Sequence, residues 1–271
     1  GKTVSYTANK GVIMTTGGYS GNSTMLGAYT KNGSHYLPGG ASTADGYGIY
    51  MMQEVGANIN EEWMSYVPTF PMGLDTGNGP GKIAATYLWK TGGICVNQEG
   101  NRFVDETEAE EQTNAIQYDI FTDKIIADAE ALNASVFWSF FYAPGKPYNQ
   151  YVVSADSVEE LAEKIGVPAD NLKSTIEKYN ECVETKTTDE FGRKFTDDSL
   201  NTYNMAINKV EGDKYYAVAL KALCVMTLGG VQINTKGQVL DTEGNVIPGL
   251  YAAGECTGGI WGKFVSGGTG I

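Results

Sequence analysis

Histidine is almost missing from this chain: His35 is the only one in 271 residues. That scarcity argues against a metal site built on imidazoles and against a serine–histidine–aspartate triad. His35 lies in NGSHYLPGG, a turn-rich stretch, and reads as a surface loop residue. The four cysteines, Cys95, Cys182, Cys224 and Cys256, are far apart and form no CxxC pair, which speaks against a disulfide framework or a zinc ribbon. Positive charge is also scarce. Nineteen Lys and Arg stand against 32 Asp and Glu, a net charge of −13. Nucleic acid is a poor partner for such a chain, because phosphates call for cationic neutralisation. An anionic membrane surface is disfavoured for the same reason, and the charge reads as a solubility feature. No apolar run is long enough to span a bilayer, and no charged-then-apolar leader opens the chain. Its first residues, KTVSYTANKGVIMTTGG, look like the middle of a domain, so the expected location is either the cytoplasm or, through a leader further upstream, the cell envelope.

What is present is an ordinary core-forming composition, 42% hydrophobic, with 35 glycines set between apolar runs as turns and close approaches. Val4–Tyr6 and Val12–Thr15 read as short strands, the second running into the glycine turn TTGGYSGN. Residues 45–57 have helical spacing, with Ile49, Met52 and Val55 or Met51 on one face and Gly56 as a stop. Residues 66–82 read as irregular, and 108–132 as helical or mixed. GGICVNQEGNRFVDE reads as a hairpin of Ile94–Val96 against Arg102–Val104. Two amphipathic helices follow, one with Val158, Leu161, Ala162 and Ile165 inward and stopped by Gly166, the other with Leu172, Ile176, Tyr179 and Val183 inward. EFGRKFTDDSLN reads as a polar loop. The tail returns to strands in YYAVAL, GGVQINT, QVLDT and GLYAAGE, with a tight turn at Glu243–Asn245. Strands at both ends and helices in the middle suggest an α/β domain with an insertion.

Three stretches carry a resemblance. GVIMTTGG, GGICVNQEGNRFVDE and TLGGVQINTKGQVLDTEGNVIPGLYAAGECTGG resemble, in order, blocks of the fumarate reductase and succinate dehydrogenase flavoprotein superfamily. The resemblance covers nearly the whole chain. It implies an α/β plus α+β fold: a partial, Rossmann-like FAD-binding domain interrupted by a capping domain. The expected division is residues 1–62 and 223–271 for the FAD-binding domain and 63–222 for the cap. The family's GxGxxG unit is not spelled by any glycine cluster here, so the chain reads as an internal piece that on its own would bind little FAD.

The resemblance also implies roles. Thr16, Gly17 and Gly18 would pass beside the adenosine half of FAD, and Thr43, Ala44, Asp45 and Gly46 would form a loop near the flavin. Gly254 and Glu255 would meet sugar or ribitol hydroxyls. Ser266, Gly267, Gly268, Thr269 and Gly270 would open a helix toward the flavin ring. The family's substrate-binding histidines fall on Met226 and Val67, one arginine falls on Val265, and the proton-donating arginine falls near Glu110. The dicarboxylate clamp is therefore gone. Tyr66, Val67, Tyr87, Met226, Thr227, Gly229, Gly230, Trp261 and Val265 are left to line a mainly apolar substrate pocket. Tyr66 and Tyr87 are candidates for acid and base, with ordinary aromatic packing as the other reading of each. Lys90 reads as exposed, and Arg102 and Glu106 as structural. The implied activity is FAD-dependent oxidation or reduction of a C–C bond in an enone or enoate, with a small-molecule substrate and an electron-donating domain or protein as partner. A non-catalytic binding module and a flavin electron-transfer subunit are the alternatives.

Overall fold

In the computed structural model, which describes residues 3–31, 33–77, 80–84, 86–106, 116–195 and 208–262, the chain begins with β1 (Val12–Met14), α1 (Ser23–Tyr29), β2 (Leu37–Pro38), α2 (Tyr47–Glu54) and α3 (Glu61–Met64). It continues through β3 (Thr69–Leu74), β4 (Lys82–Ile83), β5 (Ile94–Val96), β6 (Gln117–Thr122), α4 (Asp123–Ala131) and β7 (Val152–Ala155). The last elements are α5 (Val158–Ile165), α6 (Ala169–Thr185), β8 (Tyr215–Cys224), β9 (Gln238–Leu240) and β10 (Val246–Ala252). Two compact units result. The first takes the described residues up to Thr69, residues 80 and 81, and those from Leu223 onward; the second takes Phe70–Gly77 and the described residues from Lys82 to Ala222.

In the first unit the two ends of the chain meet as neighbouring strands. β1 runs parallel to β10, pairing Val12 with Leu250, Ile13 with Tyr251 and Met14 with Ala252, and β10 runs antiparallel to β9. The β9–β10 turn is local chemistry: Asp241 Oδ1 accepts from the backbone N–H groups of Glu243 and Asn245, and Gly244 takes φ 84°. Asn22 caps α1 by accepting from Met25 N–H. The core gathers Tyr19, Met25, Leu26, Ile49, Met52, Met64, Val231 and Val239. Three expectations are corrected here. Val4–Tyr6 is exposed chain without strand pairing. Met51 and Val55 are exposed, since Met51 points off the Ile49–Met52 face and the helix ends at Glu54. GGVQINT makes only isolated bridges, with Val231 shared between Ile59 and Thr257, so no continuous ladder forms.

In the second unit ten-residue β8 is the central strand of the order β4-β3-β8-β6-β5, with β7 also on β8. The stretch 66–82, expected to be irregular, therefore contains β3 and runs into the first residue of β4. The expected hairpin is corrected too. Only Val96 bridges to Arg102, while β5 pairs along its length with β6, Ile94 opposite Ile120 and Cys95 opposite Asp119. Helices α5 and α6 match their apolar spacing: Leu161, Ala162, Leu172, Ile176 and Tyr179 are buried, Ser157 caps the first through Glu160 N–H, and Gly166 ends it at φ 75°. The supposed polar loop holds Arg193 and Phe195 in the interior.

Candidate functional site

Gly18, Thr227 and Glu255 meet in the first unit, drawn from three separate stretches of sequence. Glu255 Oε1 accepts from Thr227 N–H at 2.8 Å and from its hydroxyl at 3.2 Å. Tyr19 N–H donates to the same hydroxyl at 3.2 Å. A Cβ on Gly18 would stand 2.1 Å from Thr227 Oγ1 and 2.4 Å from Glu255 Oε1, so only glycine lets the three close up. The loop from Thr43 to Gly46 is tied to the same strand end. Gly21 N–H donates to Ala44 O at 2.8 Å, Gly46 N–H to Gly18 O at 3.1 Å and Asn22 Nδ2 to Asp45 O at 2.8 Å. Gly46 opens α2 at φ 76°, where a side chain would strike Met25 and Tyr19. Thr16 and Thr43 are exposed.

These residues fit a sugar-bearing cofactor such as FAD. Glu255 is half-buried and, among the described residues, its second oxygen has no protein donor, which leaves a fixed acceptor for hydroxyl groups. Gly17 at φ 77° and Gly254 at φ 80° both look onto open space, the first meeting only Ala44 Cβ at 4.0 Å and the second nothing within 4 Å. A side chain at either position would occupy that room. Gly229 and Gly230 serve the fold as well, since a Cβ on Gly229 would come within 2.5 Å of Met64 Cα and one on Gly230 within 2.2 Å of Cys256 O. Leu228 N–H donates to Tyr66 O at 2.9 Å, which sets Tyr66 beside the Thr227 stretch. Val67 and Met226 are half-buried, Val67 against the first unit's core, and Trp261 is exposed. Val265, Ser266, Gly267, Gly268, Thr269, Gly270 and Glu110 lie outside the described residues.

The two candidate tyrosines belong to different units. The Tyr66 hydroxyl donates to Glu62 Oε1 one turn back, and this bond holds its ionisation above the usual phenol range. Tyr87 lies in the second unit, its ring centroid 4.8 Å from that of Phe137. Lys90 Nζ stands 4.7 Å from the Tyr87 ring centroid and 5.6 Å from that of Trp89, so this lysine is half-buried over aromatic faces and not simply solvated.

The second unit also contains a charge centre that joins Arg102 and Glu106, expected to be structural, to Arg193, whose part in it sequence reasoning missed. Glu106 Oε1 accepts from Cys95 N–H at 2.9 Å and Arg102 Nε at 2.8 Å, and Oε2 accepts from Arg102 Nη2 and Arg193 Nη1, both at 2.7 Å. Arg102 Nη1 reaches Asp189 at 2.7 Å, and Arg193 Nη2 donates to Trp89 O at 2.8 Å. Burial pushes the Glu106 carboxyl up, but the two guanidiniums outweigh it and hold the group below the usual range. One signal was available beforehand: Arg102 and Arg193 are the only arginines in the chain. Beside this centre Asp119 accepts from Thr86 at 2.9 Å and from the Cys95 thiol at 3.1 Å. Burial lifts its carboxyl to about 6. Among the described residues no helix is long and apolar enough to cross a membrane, and no cluster of His, Cys, Asp and Glu could hold a metal ion.

A family model described as an FAD binding domain matches residues 1–271. Urocanate reductase of Eggerthella lenta is 32% identical over 269 residues, 95% of this chain and 41% of that protein. NADH:acrylate oxidoreductase of Vibrio harveyi is 31% identical over 260 residues, 93% of this chain and 24% of that protein. The solved structure of the open conformation of a flavocytochrome c3 fumarate reductase superposes with a TM-score of 0.69 at 27% identity, covering 94% of this chain and 42% of its own. The chain thus spans less than half of each of these proteins.

Proposed function

The chain belongs to the FAD binding domain family, and on that premise we propose that the protein carrying it is an FAD-dependent oxidoreductase that reduces or oxidises a C–C bond of an enoate or enone, and not of fumarate or succinate. The observation that carries the substrate reading is the fate of the arginines. Both arginines of this chain are buried on Glu106, so neither is available to clamp a second carboxylate. At the positions where the resembled family has histidines this chain has Val67 and Met226. A substrate with one carboxylate or a carbonyl suits such a lining, because two buried carboxylates without cationic partners would be strongly penalised. Relatives named for urocanate and acrylate support an unsaturated acid.

In this reading the first unit is the flavin-binding part and the second the capping part. Glu255 accepts hydroxyl donors of the cofactor from its position on Thr227, while Gly17 and Gly254 leave it room. Bound FAD supplies hydride transfer at its ring. With neither arginine of this chain free, a phenol is our candidate for the proton donor. The Tyr66 proton is committed to Glu62, so we assign the role to Tyr87, where the Lys90 ammonium over the ring offsets negative charge that builds as the proton leaves. Electrons arrive from a further domain or a partner protein.

The test uses the full-length protein. It should purify yellow with stoichiometric flavin, and the photoreduced flavin should be reoxidised by urocanate or a related enoate about tenfold or more faster than by fumarate. A colourless protein, or one reoxidised by fumarate alone, would falsify the reading.

A further inference from the structure

Tyr87 has a left-handed backbone, φ 56° and ψ 11°, a region that a bulky L-residue enters only at a cost. Among the described residues three non-glycines have positive φ, the others being Asn133 and Lys186. Lys186 caps the C-terminus of α6, and Asn133 follows Leu132, the C-cap of α4. A left-handed residue there is an ordinary way for a helix to stop. Tyr87 stands at the opposite end, just before the short 3-10 turn Leu88–Thr91, where an extended residue is usual. Helix termination gives no account of it.

Thr86 does. Its Oγ1 accepts from Leu88 N–H at 3.3 Å, spanning Tyr87, and its hydroxyl proton goes to Asp119 Oδ2 at 2.9 Å. Asp119 is a buried residue of β6, held between Cys95 of β5 and Val218 of β8. Its other oxygen takes the Cys95 thiol at 3.1 Å. The anchor is thus fixed on both oxygens and on both edges of its strand, so the conformational cost falls on the residue between Thr86 and Leu88. The Tyr87 ring is thereby set against Phe137 and beneath Lys90.

We propose that Thr86 and Asp119 form a latch that holds Tyr87 in its left-handed conformation, which makes both of them positioning residues for the tyrosine. The functional side of this inference rests on the reading of Tyr87 as proton donor; the latch itself does not.

A double-mutant cycle on the chain tests the latch. Glycine adopts positive φ at no steric cost, so T86V should shift the urea midpoint more in a Y87G background than in the parent, where losing the latch also releases the strain at Tyr87. Equal shifts would mean that Thr86 holds no strain at Tyr87 and would overturn the proposal. Should T86V not fold, Y87A against Y87G decides: the latch requires Y87G to have the higher midpoint, and Y87A equal or higher sinks it. A spectroscopic readout separates positioning from plain support. In a chain with ring-labelled tyrosine, the Tyr87 resonance shifted by Phe137 should move in T86V and return in T86S. In the full-length flavoenzyme T86V should lower kcat about tenfold with KM nearly unchanged. If Y87F leaves kcat intact while the cycle still shows coupling, the proton-donor reading fails and the latch stands.

Discussion

Glu255 in the first unit is half-buried with one oxygen on Thr227 and the other, among the described residues, without a protein donor, whereas Glu106 in the second is sealed, both its oxygens saturated by two guanidiniums and a backbone N–H. Both are carboxylates held by residues far apart in sequence, yet one is left with binding capacity and the other with none. The first unit makes its site by leaving side chains out: Gly18 lets Thr227 and Glu255 close up, and Gly17 and Gly254 keep space clear. The second uses both arginines to neutralise two buried carboxylates, Glu106 and Asp189. Spare hydrogen-bonding capacity marks a place for a ligand, and saturation marks a structural joint.

The most severe way to break the comparison is at the saturated end. Glu106→Ala would strand the buried Arg193 guanidinium and leave Arg102 with Asp189 alone, and the second unit should lose about 3–5 kcal/mol. Urea unfolding followed through the Trp138 region reads this, and a loss below about 1 kcal/mol would mean the network is not the joint described.

Asp119 sharpens the comparison through pH. Its folded carboxyl, near 6, lies above the ordinary unfolded value, so the native state binds the extra proton between roughly pH 4 and 6. The sign follows: stability from this group is greatest in acid and is lost as pH rises through 6, by roughly 3 kcal/mol when complete. Glu106 acts oppositely, since its depressed ionisation costs stability only as pH falls below the ordinary carboxylate range. Asp119→Asn should therefore gain in Tm relative to the parent as pH rises from about 4 to 6, and the difference should level off above that. A pH-independent difference would show that Asp119 is ionised throughout.

The smallest expected effect is at the glycine-built end. Gly18→Ala must push Thr227 or Glu255 aside and should cost about 1–3 kcal/mol. In the full-length protein the same change should weaken FAD retention, measured by flavin release on dilution. Pairing it with Thr227→Ser, which keeps the hydroxyl, should recover none of either loss, because the clash is with that oxygen; recovery would place the obstruction elsewhere.

Much of the local structure was legible in the residues. Ser157, Gly166 and the spacing of Leu161, Leu172, Ile176 and Tyr179 define two helices, and Asp241 with Gly244 defines a turn. These depend on contacts within about one turn of chain, which a linear reading samples fully. The expected FAD-loop glycines, Gly18 and Gly46, proved to be positions where any side chain would collide. What a linear reading misplaced was non-local. Ile94–Val96 looked for its partner six residues on and found β6 instead, because Arg102 turns inward to Glu106. Arg193 looked like part of a polar loop, since the carboxylate that holds it is 87 residues away.

Residue identity by itself determined the family, the helices and turns of short range, and the lack of any arginine beyond two. Only the tertiary structure decided where those two arginines went, which carboxylate kept an open oxygen, and which tyrosine was held in a strained backbone. The physical reason is that charge saturation, close approach and strain are properties of groups meeting across the chain, and a sequence records the groups but not the meetings.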